Sequence, residues 1–166
     1  MKPNRRMLMR GVAAVLMIVM AASGSFLVKD FLALRDPQNA LPKLQVSCGE
    51  ALIPPGNLVL ASYSWRFLLV PHEDTPAPAN VWQQPDMPET PVSPNLPLEI
   101  SFSYDCKEMY ISRADNGSSI FLPVSGVEGG GLYTPPVGGE YIYRVEAFWG
   151  WLGSVQYYFK LTVAPG

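Results

Sequence analysis

Charge is scarce in this chain of 166 residues: Asp, Glu, Lys and Arg make up only 16%, and there is a single His. Beyond residue 28, 8 Lys and Arg stand against 14 Asp and Glu, a net charge of −6, with no basic cluster among them. Nothing there neutralises a run of phosphates, so no nucleic-acid partner is expected, and an anionic membrane surface is not attractive either. One His leaves no His-containing metal motif, and no Gly-x-Ser-x-Gly elbow occurs. The expectation is therefore no enzyme, no catalytic residues, no metal and no cofactor. His72-Glu73-Asp74 is the only place where a base sits beside carboxylates, and it reads as a solvated loop. The carboxylates of Glu99, Asp105, Glu108, Asp115, Glu128, Glu140 and Glu146 scatter over strand faces and turns, which is the pattern of surface charge rather than a glycosidase pair. Gly129-Gly130-Gly131 runs into Leu132-Tyr133-Thr134-Pro135-Pro136 instead of a helix, so it reads as a flexible loop and not a phosphate cradle.

Long apolar runs are absent except at the N-terminus. Lys2, Arg5, Arg6 and Arg10 precede an uncharged run of 18 residues, 11–28, which reads as an export signal with its basic flank held in the cytoplasm. Residues 21–25 are small enough for signal peptidase, whereas the run continues apolar through Val28 and is just long enough to span roughly 30 Å of hydrocarbon. Residues 1–28 are thus a signal peptide or, as the preferred reading, a signal anchor. The rest lies outside the cytoplasm: a single-pass membrane protein with an extracytoplasmic C-terminal domain, or a secreted one if cleaved. No Cys near the end of the run offers a lipid attachment point.

The two cysteines, Cys48 and Cys106, suit that compartment, and a disulfide between them is expected. It would close a loop of 59 residues, which the chain-entropy model values at about 4 kcal/mol.

What the chain has in quantity is turn formers and aromatics: 17 Pro, 14 Gly, 4 Trp, 8 Tyr and 7 Phe. Residues 29–43 form a stalk or linker, with Asp36-Pro37 stopping any extension of the preceding helix. The domain is then 44–166. A strand at Leu44–Gly49 is followed by the Pro54-Pro55-Gly56 turn and a β-rich run, 58–70. Residues 71–97 hold 8 prolines and read as a loop tacked down by Trp82. Leu98, Ile100, Phe102 and Tyr104 alternate with polar residues, as half-buried strands do. Asp115-Asn116-Gly117 has the chemistry of a hairpin turn between Glu108–Arg113 and Ser118–Val124. In the closing hairpin, Tyr141, Tyr143, Val145, Ala147 and Trp149 share one face of one strand, and Val155, Tyr157, Phe159, Leu161 and Val163 one face of the next. The opposite faces carry Arg144, Glu146, Gln156, Lys160 and Thr162 and are expected to be solvated, with charges pairing across strands. About seven strands and no helical period after residue 43 predict an all-β, immunoglobulin-like antiparallel β-sandwich preceded by an N-terminal signal or anchor helix.

Tyr63-Ser64-Trp65 and the closing series Tyr141, Tyr143, Val145, Ala147 and Trp149, followed by Tyr158 and Phe159, carry a resemblance. Over 44–163 the chain resembles a group of uncharacterised, lipoprotein-like extracytoplasmic domains of Firmicutes with a Tyr-Ser-Trp strand and a Tyr-x-Tyr-x-Val-x-Ala-x-Trp hairpin. It departs from them in lacking a lipid-attachment Cys and in carrying the Pro-rich insert. The resemblance implies a surface-located sandwich with no assigned activity.

The function expected is a non-catalytic interaction or envelope role, with the membrane contacted through residues 11–28. The alternative is a carbohydrate or cell-wall binding module. Trp82, Tyr133 and Trp151, each placed in a loop or turn, are the candidates for stacking on a sugar ring or a surface-protein partner. Trp65 and Trp149 sit on strand faces and are expected in the core.

Overall fold

A computed structural model describes residues 14–20, 24, 28, 35–67, 70–75, 87–124 and 131–165. Two compact units result, residues 1–40 and 41–166. In the first, 14–20 are helical and exposed, and Asp36 bends the chain before Pro37 opens the single helical turn Pro37–Ala40. A proline tolerates the first position of a helix because the missing N–H has no partner there anyway. Residues 24 and 28 are helical as well, and the remainder of the expected anchor helix, 11–13, 21–23 and 25–27, lies outside the described residues. Among the described residues, no helix is long and apolar enough to cross a membrane.

The second unit is all-β, with two sheets. In chain order its strands are β1 (Leu44–Cys48), β2 (Ala51–Leu52), β3 (Val59–Phe67), β4 (Val70–Asp74), β5 (Glu89–Val92), β6 (Leu98–Phe102), β7 (Glu108–Asp115), β8 (Leu122–Pro123), β9 (Gly139–Phe148) and β10 (Gly153–Val163). One sheet has the order β2-β1-β6; the other runs β4-β3-β10-β9-β7-β8, with β5 also on β10. All pairs are antiparallel except β5–β10, in which Lys160 to Val163 pair in parallel with Glu89 to Val92. Strand β3 covers only the first half of β10, from Gly153 to Tyr158, and β5 takes the edge that β3 leaves. The expected loop at 71–97 is therefore interrupted by strand at both ends, in β4 and β5. Trp82 lies outside the described residues.

The alternating faces read from the sequence are the core. Tyr141, Tyr143, Val145, Ala147 and Trp149 of one strand and Val155, Tyr157, Phe159, Leu161 and Val163 of the next are all buried, together with Val46, Leu98, Tyr63 and Trp65. The Tyr143 and Phe159 rings stack in parallel at 4.8 Å across the β9–β10 pair. The Tyr143 hydroxyl is buried, and burial pushes its pKa up to about 12 against the opposing pull of the Arg113 guanidinium.

The Asn116-Gly117 turn forms as its chemistry requires, with φ of 47° and 80° and Ser118 N donating to Asp115 O at 3.0 Å. The returning arm is shorter than expected, because only Ser112 and Arg113 pair with β8. Between turn and strand, Phe121 swings over the outer face of the large sheet and packs on Tyr158, with the Arg144 guanidinium 4.9 Å from its ring centre. Met87, Ile142, Val59, Phe121 and Tyr158 make a second small apolar cluster there, so the outer face is only partly solvated.

The charges on that face do pair. Lys160 Nζ reaches Glu89 Oε1 at 2.8 Å and Glu140 Oε2 at 3.0 Å, and Thr162 Oγ1 donates to Glu89 Oε2 at 3.1 Å. Hydrogen bonds from Lys160 and then Thr162 hold the Glu89 carboxyl below its ordinary 4.5. A depressed carboxylate stabilises the fold above its unfolded value, and that contribution is lost as pH falls through the folded value. Glu89→Gln should therefore flatten the acid limb of the stability curve below pH 4.5; urea unfolding at stepped pH checks this, and an unchanged acid limb would contradict the tie between β5 and β10.

The expected disulfide does not form: Cys48 and Cys106 are free thiols. Leu44 pairs with Phe102 and Cys48 with Leu98, so Cys106, four residues after Phe102, leaves the ladder at the end away from Cys48. Four residues of strand separate those ends by about 13 Å, whereas a bridge needs Cα atoms within about 7 Å. Burial pushes the Cys48 thiol up to about 11 and also raises that of the half-buried Cys106. The unreduced chain should yield both thiols to Ellman's reagent once denatured, and reductant should leave its melting temperature unchanged.

Candidate functional site

The closing hairpin turns through a three-residue 3-10 segment, Gly150–Leu152. Gly150 has φ of 65°, and Trp149 N donates to Gly153 O at 2.9 Å, closing the turn and leaving Trp151 at its tip, 66% exposed. The segment joining β6 to β7 lies against this turn, with Lys107 N donating to Phe148 O at 2.9 Å. Tyr110 packs edge-on against Phe148 at 5.8 Å on the outer face, and its hydroxyl donates to Glu108 Oε2 at 3.1 Å. That hydrogen bond and the carboxylate's charge raise the Tyr110 hydroxyl's pKa.

Behind the turn, between the sheets, sits an aromatic cluster. Trp149 meets Phe102 at 5.1 Å, Trp65 at 5.4 Å and Tyr104 at 5.6 Å, and Phe102 continues to Tyr157 at 6.1 Å. The contacts of Trp149 with Phe102 and Trp65 are edge-to-face and set positive ring edges on negative faces, while the other two are tilted. Trp65 and Trp149 are core residues, as expected, and the buried Trp149 Nε1 has no hydrogen-bond partner. The described residues include five exposed aromatics, and four of them, Tyr104, Tyr110, Phe148 and Trp151, lie at this end. The fifth, Tyr133, does not.

Tyr133 bridges to Pro97, and Leu98 N donates to Leu132 O at 2.7 Å. The adjoining Thr134 donates to Ser93 O at 2.8 Å, one residue beyond the Val92–Val163 pair at the far end of β10. Trp151 stands beside Gly153, where β10 begins. Eleven residues of strand place the two aromatics at opposite ends of the sandwich, roughly 30 Å apart. Of the three stacking candidates, Trp151 and Tyr133 are exposed but do not share a platform, and Trp82 lies outside the described residues. Sequence reading missed Tyr104, Tyr110 and Phe148. Tyr104 lies two residues past the end of β6, and Tyr110 and Phe148 lie on the outer faces of β7 and β9, where the sequence pattern points only to solvated charges.

His72 is not in a solvated loop. It sits in edge strand β4 opposite Trp65, half-buried, with its ring parallel to Tyr63 at 5.6 Å and Nδ1 2.9 Å from the Tyr63 hydroxyl. Burial, and then the Asp74 charge, raise the Tyr63 hydroxyl's pKa, the reverse of what a phenolate nucleophile needs. Across the sheet, an open groove of about 620 Å³ is lined by Arg113, Asp115, Ile120, Leu122 and Val124 among others. Its cation is already committed, since Arg113 Nε and Nη2 bind the Asp115 carboxylate at 2.7 and 3.0 Å. Among the described residues, no group of His, Cys, Asp and Glu could hold a metal ion. No family model matches the chain, and no curated protein or solved structure matches it.

Proposed function

We propose that the chain is a non-catalytic interaction protein of the cell envelope, an immunoglobulin-like sandwich held outside the membrane by residues 11–28 or released by cleavage there, and that its aromatic end makes the contact. The observation that carries this reading is the gathering of Tyr104, Tyr110, Phe148 and Trp151 at one end, on an aromatic base. Exposed Trp and Tyr on a preformed surface bury large area at small entropic cost, which is why they dominate contact sites. The resemblance of residues 44–163 to extracytoplasmic Firmicutes domains supports the same location. A photo-crosslinking residue placed at position 151 should trap envelope material several-fold more than one at the exposed Val137, which lies at the other end. Equal capture would remove the aromatic end as the contact site.

The protruding Trp151 also favours a second reading, a carbohydrate or cell-wall binding module. In that case Trp151→Ala should weaken binding to peptidoglycan or to a member of a polysaccharide panel about tenfold, the loss of one stacking contact. Tyr133→Ala should leave that binding unchanged. Affinity that survives Trp151→Ala would discard this reading.

A further inference from the structure

We propose that the aromatic end seats on the lipid bilayer that carries the chain, with Trp151 in the headgroup layer. This rests on the reading of residues 11–28 as a membrane segment and names the partner of the aromatic end within it.

Where the chain joins the sandwich shows which end the membrane segment is tied to. Leu41 and Pro42 are buried, and Tyr157 donates its hydroxyl to Pro42 O at 3.1 Å. Lys43 N donates to Ser103 Oγ at 3.1 Å, and Ser103 N returns a bond to Lys43 O at 2.9 Å. Leu44 then pairs with Phe102, whose ring packs on Trp149. The first residues of the sandwich are therefore fixed at the end that carries Trp151, not at the end that carries Tyr133. In the sequence only the 12 residues 29–40 separate the apolar run from Leu41. Such a tether reaches at most about 40 Å when extended and about 18 Å when helical. Because it joins the near end, that end lies within reach of the headgroups at every length of the tether.

The chemistry of the near end suits that layer. Trp and Tyr pair an apolar ring with a polar N–H or O–H and so collect where hydrocarbon meets water. Trp151 at the tip, Phe148 and Tyr110 beside it and Tyr104 behind offer four such or wholly apolar rings. Lys107 is offset by Asp105 and Glu108 in the same segment, so the attraction owes little to charge. It should hold on zwitterionic lipid and change little with salt.

The test uses the full chain in phosphatidylcholine vesicles, with and without bromine near the headgroup end of the acyl chains. No Trp precedes residue 65, so emission reports the sandwich alone. The expected result is co-flotation with the vesicles and bromolipid quenching of up to about one quarter of the emission, the share of one Trp among 4. That loss should disappear in Trp151→Ala, and moving the probe to the far end with Val137→Trp in that background should restore no quenching. Co-flotation with quenching that is absent, that survives Trp151→Ala or that appears at position 137 would overturn the seating and spare the membrane segment. A chain that does not float overturns both. Emission from Trp151 that ignores lipid and shifts with peptidoglycan would overturn the seating in favour of a wall ligand.

Discussion

Phe159→Ala is expected to destabilise the fold by about 3–5 kcal/mol, the cost of removing a buried aromatic and leaving the cavity partly unfilled. Phe159 is 0% exposed at the centre of β10 and stacks face to face on Tyr143. Val145 and Leu161 beside it on the same pair of strands are also fully buried, and a close-packed interior refills such a space only in part. Loss of the stacked pair accounts for about 1 kcal/mol of the total. Domains of this size are stable by only about 5–15 kcal/mol, so the variant should sit near the edge of folding. Urea unfolding followed by circular dichroism reads the effect as a lower midpoint with an unchanged slope. Phe148→Ala, on the outer face and 37% exposed, should lose less than about 1.5 kcal/mol. Equal losses at the two positions would contradict the assignment of faces on β9 and β10.

Gly153→Ala is expected to cost about 3 kcal/mol, from backbone rather than core. Gly153 has φ of 132°, a conformation that L side chains rarely adopt, and a Cβ there would overlap the Ser64 carbonyl oxygen on β3. Only glycine lets β10 start this close to β3, and the position also accepts the Trp149 N–H that closes the hairpin. Because the strain sits in the turn that presents Trp151, the variant should lose contacts of the aromatic end as well as stability. Gly56→Ala is the control: nothing lies within 4 Å of a Cβ there, and a gain of about 0.5 kcal/mol is expected from a stiffer unfolded chain. Thermal melts of the two variants side by side decide the matter, and a Gly153→Ala melt that matches wild type would mean that β10 does not begin against β3.

The division between what sequence determined and what tertiary structure decided is physical. The two faces of β9 and β10, the Asn116-Gly117 turn and the core placement of Trp65 and Trp149 were legible because each depends on neighbours one to three residues away, through the two-residue strand period or the tolerance of positive φ. The parallel strap of β5 was not legible. Glu89-Thr90-Pro91-Val92 has no period of its own and becomes a strand only because β3 ends before β10 does. Met87 lay in the Pro-rich loop and Phe121 in the expected returning arm of the Asn116-Gly117 hairpin, and they are apolar cover only once Ile142 and Tyr158 form the floor beneath them. The cysteine pairing failed for the same reason: composition and compartment favour a bridge, but the β1–β6 register sets the thiols at opposite ends of a ladder. Tyr104, Tyr110, Phe148 and Trp151 are scattered over 48 positions of sequence and become one end of a molecule through strand register, the closing turn and the packing of Tyr104 on Trp149. Local chemistry is written residue by residue, whereas long-range juxtaposition follows from which strands pair and where each one stops.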